Sequence, residues 1–378
     1  MTYRKNKKNN TDDKGRTSRG HRILPGVLAF ILMLSMVVLT GCTNAGQEKE
    51  NDSGSGGTAA VQNEASGTSE SSSGRKLKIV TTSFAAWDWT RQVLGDRADD
   101  AEVTYLLDNG VDMHSYQPDA ADISKILDAD LFIYVGGPSD NWVSKVLKSS
   151  SNPPVTVNML KTLGSGVKLE ERVKGMEEEA EDHEGSEGHH HSDGHDHSDL
   201  EYDEHVWLSP ENAILFTNTI ADRLEEIDTS NSAAYRKNAA SYDKKLEDLQ
   251  NDFRNAVNQS PHKTIIVGDR FPFRYLTDEF GIKYYAAFAG CSAESEASFD
   301  TVIFLANKTE ELKVPMVLRT ETGLDNLPET IIKASGRKNV GIGVLDSMQS
   351  VRHQEMDQGV TYISIMRNNL KVIRKALG

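Results

Sequence analysis

Apolar residues in this chain fall into short β-branched or aromatic runs that alternate with longer amphipathic stretches. That rhythm belongs to folds that interleave strands with helices. The runs predict strands at 76–82, 102–107, 131–135 and 155–158, and again at 264–268, 284–288, 315–319 and 340–345. Helical spacing predicts helices over 84–95, 119–129, 140–149, 297–312, 327–336 and 358–377. The middle of the chain is its most helical part. Ser209-Pro210-Glu211 reads as an N-cap, a proline at the first helical position and an acidic first turn. Ala213, Leu215, Ile220, Leu224 and Ile227 follow at near-helical spacing, and 233–257 sets Tyr242, Leu246, Leu249 and Phe253 on one face. The expected fold class is α/β: two α/β lobes joined by a long rigid helix. The N-terminal lobe is 76–208, the helical spine 209–260 and the C-terminal lobe 261–378.

The first residues do not fit that rhythm. Eight Lys/Arg between Arg4 and Arg22 precede an apolar run from Ile23 to Leu39 that ends in Leu39-Thr40-Gly41-Cys42. A basic segment, a short apolar segment and a small residue before the break make a secretory signal over 1–42. Its ending resembles a bacterial lipobox, which makes Cys42 a lipidated N-terminus and the membrane a partner through that lipid. The rival reading, a single membrane span, needs a longer run of ~20 apolar residues. Residues 43–75, mostly Ser, Gly, Asn, Glu and Thr, bury too little to offset their ordering entropy and read as a flexible tether.

Composition narrows the function. The whole chain carries a formal charge of −15, and loss of 1–42, with a net +6, takes this to −21. So acidic a chain without a basic stripe is a poor nucleic-acid binder and attracts cations. Of two cysteines one is assigned to lipid, so Cys291 lacks a disulfide partner and reads as a small buried residue.

Histidine is distributed unevenly: seven of the eleven lie in 183–205. His183, His189, His190, His191, His195 and His197 sit in a low-complexity acidic insert, 171–204, expected to be a mobile surface loop. A floppy chelator loses entropy on binding, so these six read as an accessory loop. His114 and His205 differ. His114 follows strand 102–107, and His205 precedes the cap of the spine. In open α/β sheets ligands bind beyond the carboxyl ends of strands. Asp269 and Arg270 follow strand 264–268, Glu321 follows 315–319 and Asp346 follows 340–345, so loops of both lobes converge on one cleft. Two imidazoles and a carboxylate suit zinc or manganese.

Those residues lie in recognisable motifs. Asp112-Met113-His114-Ser115-Tyr116-Gln117-Pro118, the His-rich insert, Glu204-His205-Val206-Trp207-Leu208-Ser209-Pro210, Phe273-Arg274-Tyr275-Leu276, Cys291 through Ser298 and Leu345-Asp346-Ser347 belong together. So does the ending Tyr362 through Leu370. Over about residues 76–378 the chain resembles the metal-binding lipoproteins of bacterial ABC importers for zinc and manganese, the cluster A-I group. The resemblance implies a two-lobed monomeric receptor with the metal between the lobes, an ABC permease as partner, and His114, His205 and Asp346 as ligands. The insert points to the zinc branch. One position departs from the pattern. Where zinc-type members place a His and manganese-type members a Glu, three residues before Phe273, stands Arg270, which has no lone pair to offer a metal. Either Asp269 substitutes, or water completes the shell, or Arg270 neutralises Asp346 or Glu321. The function expected is zinc capture and delivery without chemistry on a substrate. A manganese or iron receptor and a zinc-dependent hydrolase are the alternatives.

Overall fold

The strands read from the sequence form two separate four-stranded sheets in the computed structural model, which describes residues 75–176, 201–292 and 296–378. The first holds β1 Leu77–Thr81, β2 Ala101–Tyr105, β3 Leu131–Tyr134 and β4 Val155–Asn158. The second holds β5 Thr264–Phe271, β6 Lys283–Ala289, β7 Met316–Thr320 and β8 Gly341–Leu345. Their orders are β2-β1-β3-β4 and β6-β5-β7-β8, with neighbouring strands parallel throughout. Parallel strands are covered on both faces, which explains why Ile79, Val80, Leu131, Phe132 and Ile133, and likewise Ile265, Ile266 and Val267, are buried as continuous runs. In each sheet the chain steps to one side of its first strand and then crosses to the other. That reversal opens a crevice at the carboxyl ends.

The spine is two helices, Pro210–Ile227 and Ser232–Gln259, which fold back on each other through a short turn at 229–231. Ser209 caps the first by accepting from Asn212 N–H at 3.1 Å, with Pro210 at the first helical position, as its sequence predicts. The second is 28 residues long, about 42 Å at helical rise. The helix expected over 358–377 begins four residues later: Gly359 adopts φ 81°, and Thr361 then caps a helix at Tyr362–Ala376. A helix not expected, Arg274–Phe280, is closed by Gly281 in the left-handed conformation. Among the described residues no helix is long and apolar enough to cross a membrane.

The insert needs a correction at its edges. Leu169 bridges Tyr202, Glu170 N–H donates to Glu201 O at 2.7 Å and Asp203 N–H to Lys168 O at 2.9 Å. Its described edges are therefore pinned, and Asp203 and Glu204 are buried. Acidic composition marked them as loop; tertiary partners override that. Residues 177–200, with all six insert histidines, lie outside the described residues, as does Cys42.

A continuous apolar core runs through both lobes and the spine, and includes Trp89, Phe216, Tyr242, Phe253 and Tyr362. One carboxyl is set inside it. Asp88, on the helix Phe84–Leu94, accepts from Tyr362 N–H at 3.1 Å, Tyr242 Oη–H at 3.3 Å and Gln92 at 3.4 Å. It thereby ties the first lobe to the spine and to the N-terminus of the last helix. Burial nevertheless pushes its pKa up to about 6, and Asp140 is pushed to about 6 for the same reason. A carboxyl raised in the fold contributes stability that is fully present below its unfolded pKa and lost as pH rises through the folded one. Asp88→Asn should therefore gain stability over the parent between pH 4 and pH 7, by on the order of 3 kcal/mol. Urea unfolding across that range measures it, and a difference that stays flat or reverses sign refutes the assignment.

Candidate metal centre

The turn after β2 carries the first imidazole. Asp112 caps the short 3-10 turn Met113–Ser115 by accepting from His114 N–H at 3.0 Å. The other oxygen of Asp112 accepts from Arg270 Nη2 at 3.1 Å, across the cleft between the lobes. Burial alone raises the Asp112 carboxyl, but the His114 N–H, the His114 ring and Arg270 outweigh it and hold the group below its ordinary range. His114 Nδ1 faces Ser139 Oγ at 2.9 Å and Glu204 Oε2 at 3.2 Å. Ser139 in turn donates to Glu204 from its N–H at 2.8 Å and from its hydroxyl at 2.5 Å. Gly137 makes this possible, since a Cβ there would collide with the Glu204 side chain. Burial raises the Glu204 carboxyl, and the bonds from His114 and Ser139 overcome that and keep it ionised.

The second imidazole is fully buried. His205 donates from its backbone N–H and from Nδ1 to Asp203 Oδ1, both at 2.9 Å. Burial pulls the ring's pKa down, but Asp203, Glu204 and Glu170 push harder in the other direction, so the net shift is upward. The three consecutive residues Asp203-Glu204-His205 thus supply one imidazole and the carboxylates that orient both rings. A carboxylate on Nδ1 fixes the tautomer, leaves the Nε2 lone pair free and makes it more basic. Here both rings have that partner.

The consequence is two Nε2 lone pairs aimed into one space, 3.3 Å apart. Two nitrogens bound at 2.0–2.1 Å to a tetrahedral zinc lie roughly that far apart. Opposed lone pairs repel unless a donor or cation lies between them. In this structure the Gln349 amide nitrogen does so, 2.6 Å from His205 Nε2 and 3.1 Å from His114 Nε2. Gln349 is carried by the turn after β8, where Met348 adopts φ 64°. Glu321 holds that turn by accepting from Ser347 N–H and Oγ–H, both at 2.8 Å.

Among the described residues, the metal-ligating atoms that lie within 4.8 Å of one another are those of His114, His205 and Cys291. The cysteine, expected to be a small buried residue, is half-buried at the site instead. Its N–H donates to Glu170 Oε1 at 2.7 Å. The glycine before it lets the backbone approach: a Cβ on Gly290 would lie 3.2 Å from His205 Cε1.

The carboxylates nominated from the sequence are placed elsewhere. Asp269 accepts from Arg270 N–H at 2.8 Å, from Thr320 N–H at 2.8 Å and from Thr320 Oγ–H at 2.7 Å. It ties β5 to the end of β7 and, in this arrangement, lies outside the His114, His205 and Cys291 group. Arg270 pairs with Asp112 and neutralises neither Asp346 nor Glu321. Asp346 also stays outside the group in this arrangement. Its Oδ1 accepts from Met348 N–H at 2.8 Å, and burial with the nearby Glu321 charge pushes its pKa up to about 7. Reading the sequence found both imidazoles but missed Asp203, Gln349 and the place of Cys291. Adjacency to His205 could have signalled Asp203. A left-handed methionine turn leaves no such trace.

The profile of the family described as "Zinc-uptake complex component A periplasmic" matches residues 79–376. The zinc-binding lipoprotein AdcA of Streptococcus pneumoniae is 32% identical over 300 residues, which cover 79% of this chain and 56% of AdcA. The chain thus spans little more than half of that relative. The high-affinity zinc uptake system protein ZnuA of Bacillus subtilis is 32% identical over 320 residues, covering 84% of this chain and 93% of ZnuA. Among solved structures, the Zn(II)-bound ZnuA-like domain of S. pneumoniae AdcA superposes with a TM-score of 0.61 at 28% identity. It covers 80% of this chain and 99% of that domain. The metal-dependent lipoprotein YcdH of B. subtilis gives a TM-score of 0.63 at 28% identity, over 80% of this chain and 100% of that one.

Proposed function

Because this chain belongs to the family of the zinc-uptake complex component A, we propose that it is an extracytoplasmic receptor that takes zinc between its lobes and passes it to an ABC importer. It would be held at the membrane through lipid on Cys42. The observation that carries this reading is the pair of carboxylate-oriented imidazoles whose Nε2 atoms stand 3.3 Å apart. His114 and His205 are the fixed nitrogen ligands. Zinc enters by displacing the Gln349 amide, replacing a weak donor with a cation that satisfies both lone pairs. Asp346 and Glu321 form the acidic wall of the second lobe. A dication beside them would stabilise the charge that crowding denies Asp346 near pH 7. Arg270 and Asp112 clasp the two lobes at the edge of the cleft. The insert histidines are an accessory capture loop, and no step of this function transforms a substrate.

Imidazole donors favour zinc, and manganese stands lowest in the general affinity order of divalent first-row metals. Titrating the metal-stripped full-length chain by calorimetry should therefore show one tight zinc site and much weaker manganese binding. The tight site should survive deletion of 177–200. Loss of all tight binding on deletion would make the insert the ligand. Equal affinity for manganese would favour the alternative receptor, and turnover of an ester or peptide by the zinc form would restore the hydrolase.

A further inference from the structure

We propose that Cys291 is the third protein ligand of the zinc site, supplying a thiolate where β5 presents Arg270. This assignment rests on the zinc-receptor reading above and specifies the chemistry of that site.

Geometry carries it. The sulfur and the ligating nitrogens of His114 and His205 lie within 4.8 Å of one another, so a small inward movement encloses an ion. Arg270 cannot fill the place: a guanidinium has no free lone pair, and its Nη2 is turned to Asp112 at 3.1 Å. The donor comes instead from the adjacent strand. β5 and β6 run parallel with Phe271 beside Ala289, so the turn after β6 emerges next to the one after β5 and delivers Cys291 two residues on. Two contacts fix that turn. Glu170 receives the Cys291 N–H at 2.7 Å, and Gly290 lets the backbone pass close to the His205 ring.

A bound dication deprotonates a coordinating thiol outright. Sulfur also sets selectivity. A soft thiolate favours zinc, whereas manganese prefers oxygen donors.

The test uses the metal-stripped full-length chain loaded with cobalt(II), a spectroscopic substitute for zinc. Thiolate coordination predicts an intense near-ultraviolet sulfur-to-cobalt charge-transfer band, retained in C42S and lost in C291S. Zinc affinity in C291S should fall by more than the roughly 10–100-fold typical of losing an outer-shell partner. The zinc-over-manganese preference should narrow in the same variant. The metal-free unfolding midpoint of C291S, unchanged from the parent, shows that the loss is one of coordination. If C291S keeps the band, or keeps parental zinc affinity while H114A loses tight binding, the cysteine assignment is overturned and the imidazole site stands. If H114A and C291S both bind zinc as the parent does, the receptor site itself is wrong.

Discussion

Replacing His205 with alanine is expected to abolish tight zinc binding and to destabilise the metal-free protein as well. The ring is fully buried and supplies one of the two convergent lone pairs. Its removal should cost well over the roughly 100-fold upper end for losing an outer-shell partner. Stability falls for a separate reason. Asp203 is 2% exposed and directs Oδ1 at the imidazole, and stripping a buried carboxylate of a hydrogen-bond donor typically costs about 1–3 kcal/mol. Asp203→Ala and Glu204→Gln provide the graded comparison, because each removes an orienting partner and leaves both imidazoles in place. Zinc affinity measured against a chromophoric chelator should rank parent, then these two, then His205→Ala. An His205→Ala protein that binds zinc within tenfold of the parent would exclude His205 as a ligand.

Trp207→Ala should produce the largest loss of stability among single substitutions around the cleft. The indole is 1% exposed and lies between elements of both lobes. Its Nε1–H donates to Ser347 O at 2.9 Å, its carbonyl accepts from Tyr362 Oη–H at 2.8 Å, and its ring sits edge-on to His205 at 5.5 Å. Truncating a buried tryptophan costs about 3–5 kcal/mol through lost burial and the cavity left behind. Ser347 O would also lose its donor, two residues before Gln349, so zinc affinity should drop with stability. Trp207→Phe separates the effects. It keeps most of the bulk and removes the indole N–H, worth about 1 kcal/mol. Urea unfolding and zinc titration of the two variants measure both quantities. A loss below about 1 kcal/mol in Trp207→Ala would show that the lobes do not depend on this contact.

Legibility varied by kind of feature. Each of the eight strands was marked by its β-branched or aromatic run, and the spine announced itself through Ser209-Pro210 and the periodic apolar residues that follow. The last helix starts four residues after its expected onset, because Gly359 takes a left-handed φ and Thr361 supplies the cap. His114 and His205 stood out from the insert histidines because one follows a strand end and the other precedes a helix cap. The carboxylates were harder. Asp269 and Asp346 both follow strands, and nothing local says that Asp269 turns to Thr320 while Asp346 accepts from Met348.

The α/β alternation, the helical spine and the two imidazoles are legible along the chain, because strand and helix periods and caps are set by near neighbours. Which side chains meet is set by the folded arrangement of the two lobes. Arg270 faces Asp112, Gln349 bridges the imidazoles and Cys291 joins them, each across a large sequence separation. Such meetings depend on how two independently wound sheets bring their carboxyl ends together around a shared core. No local periodicity encodes that distance.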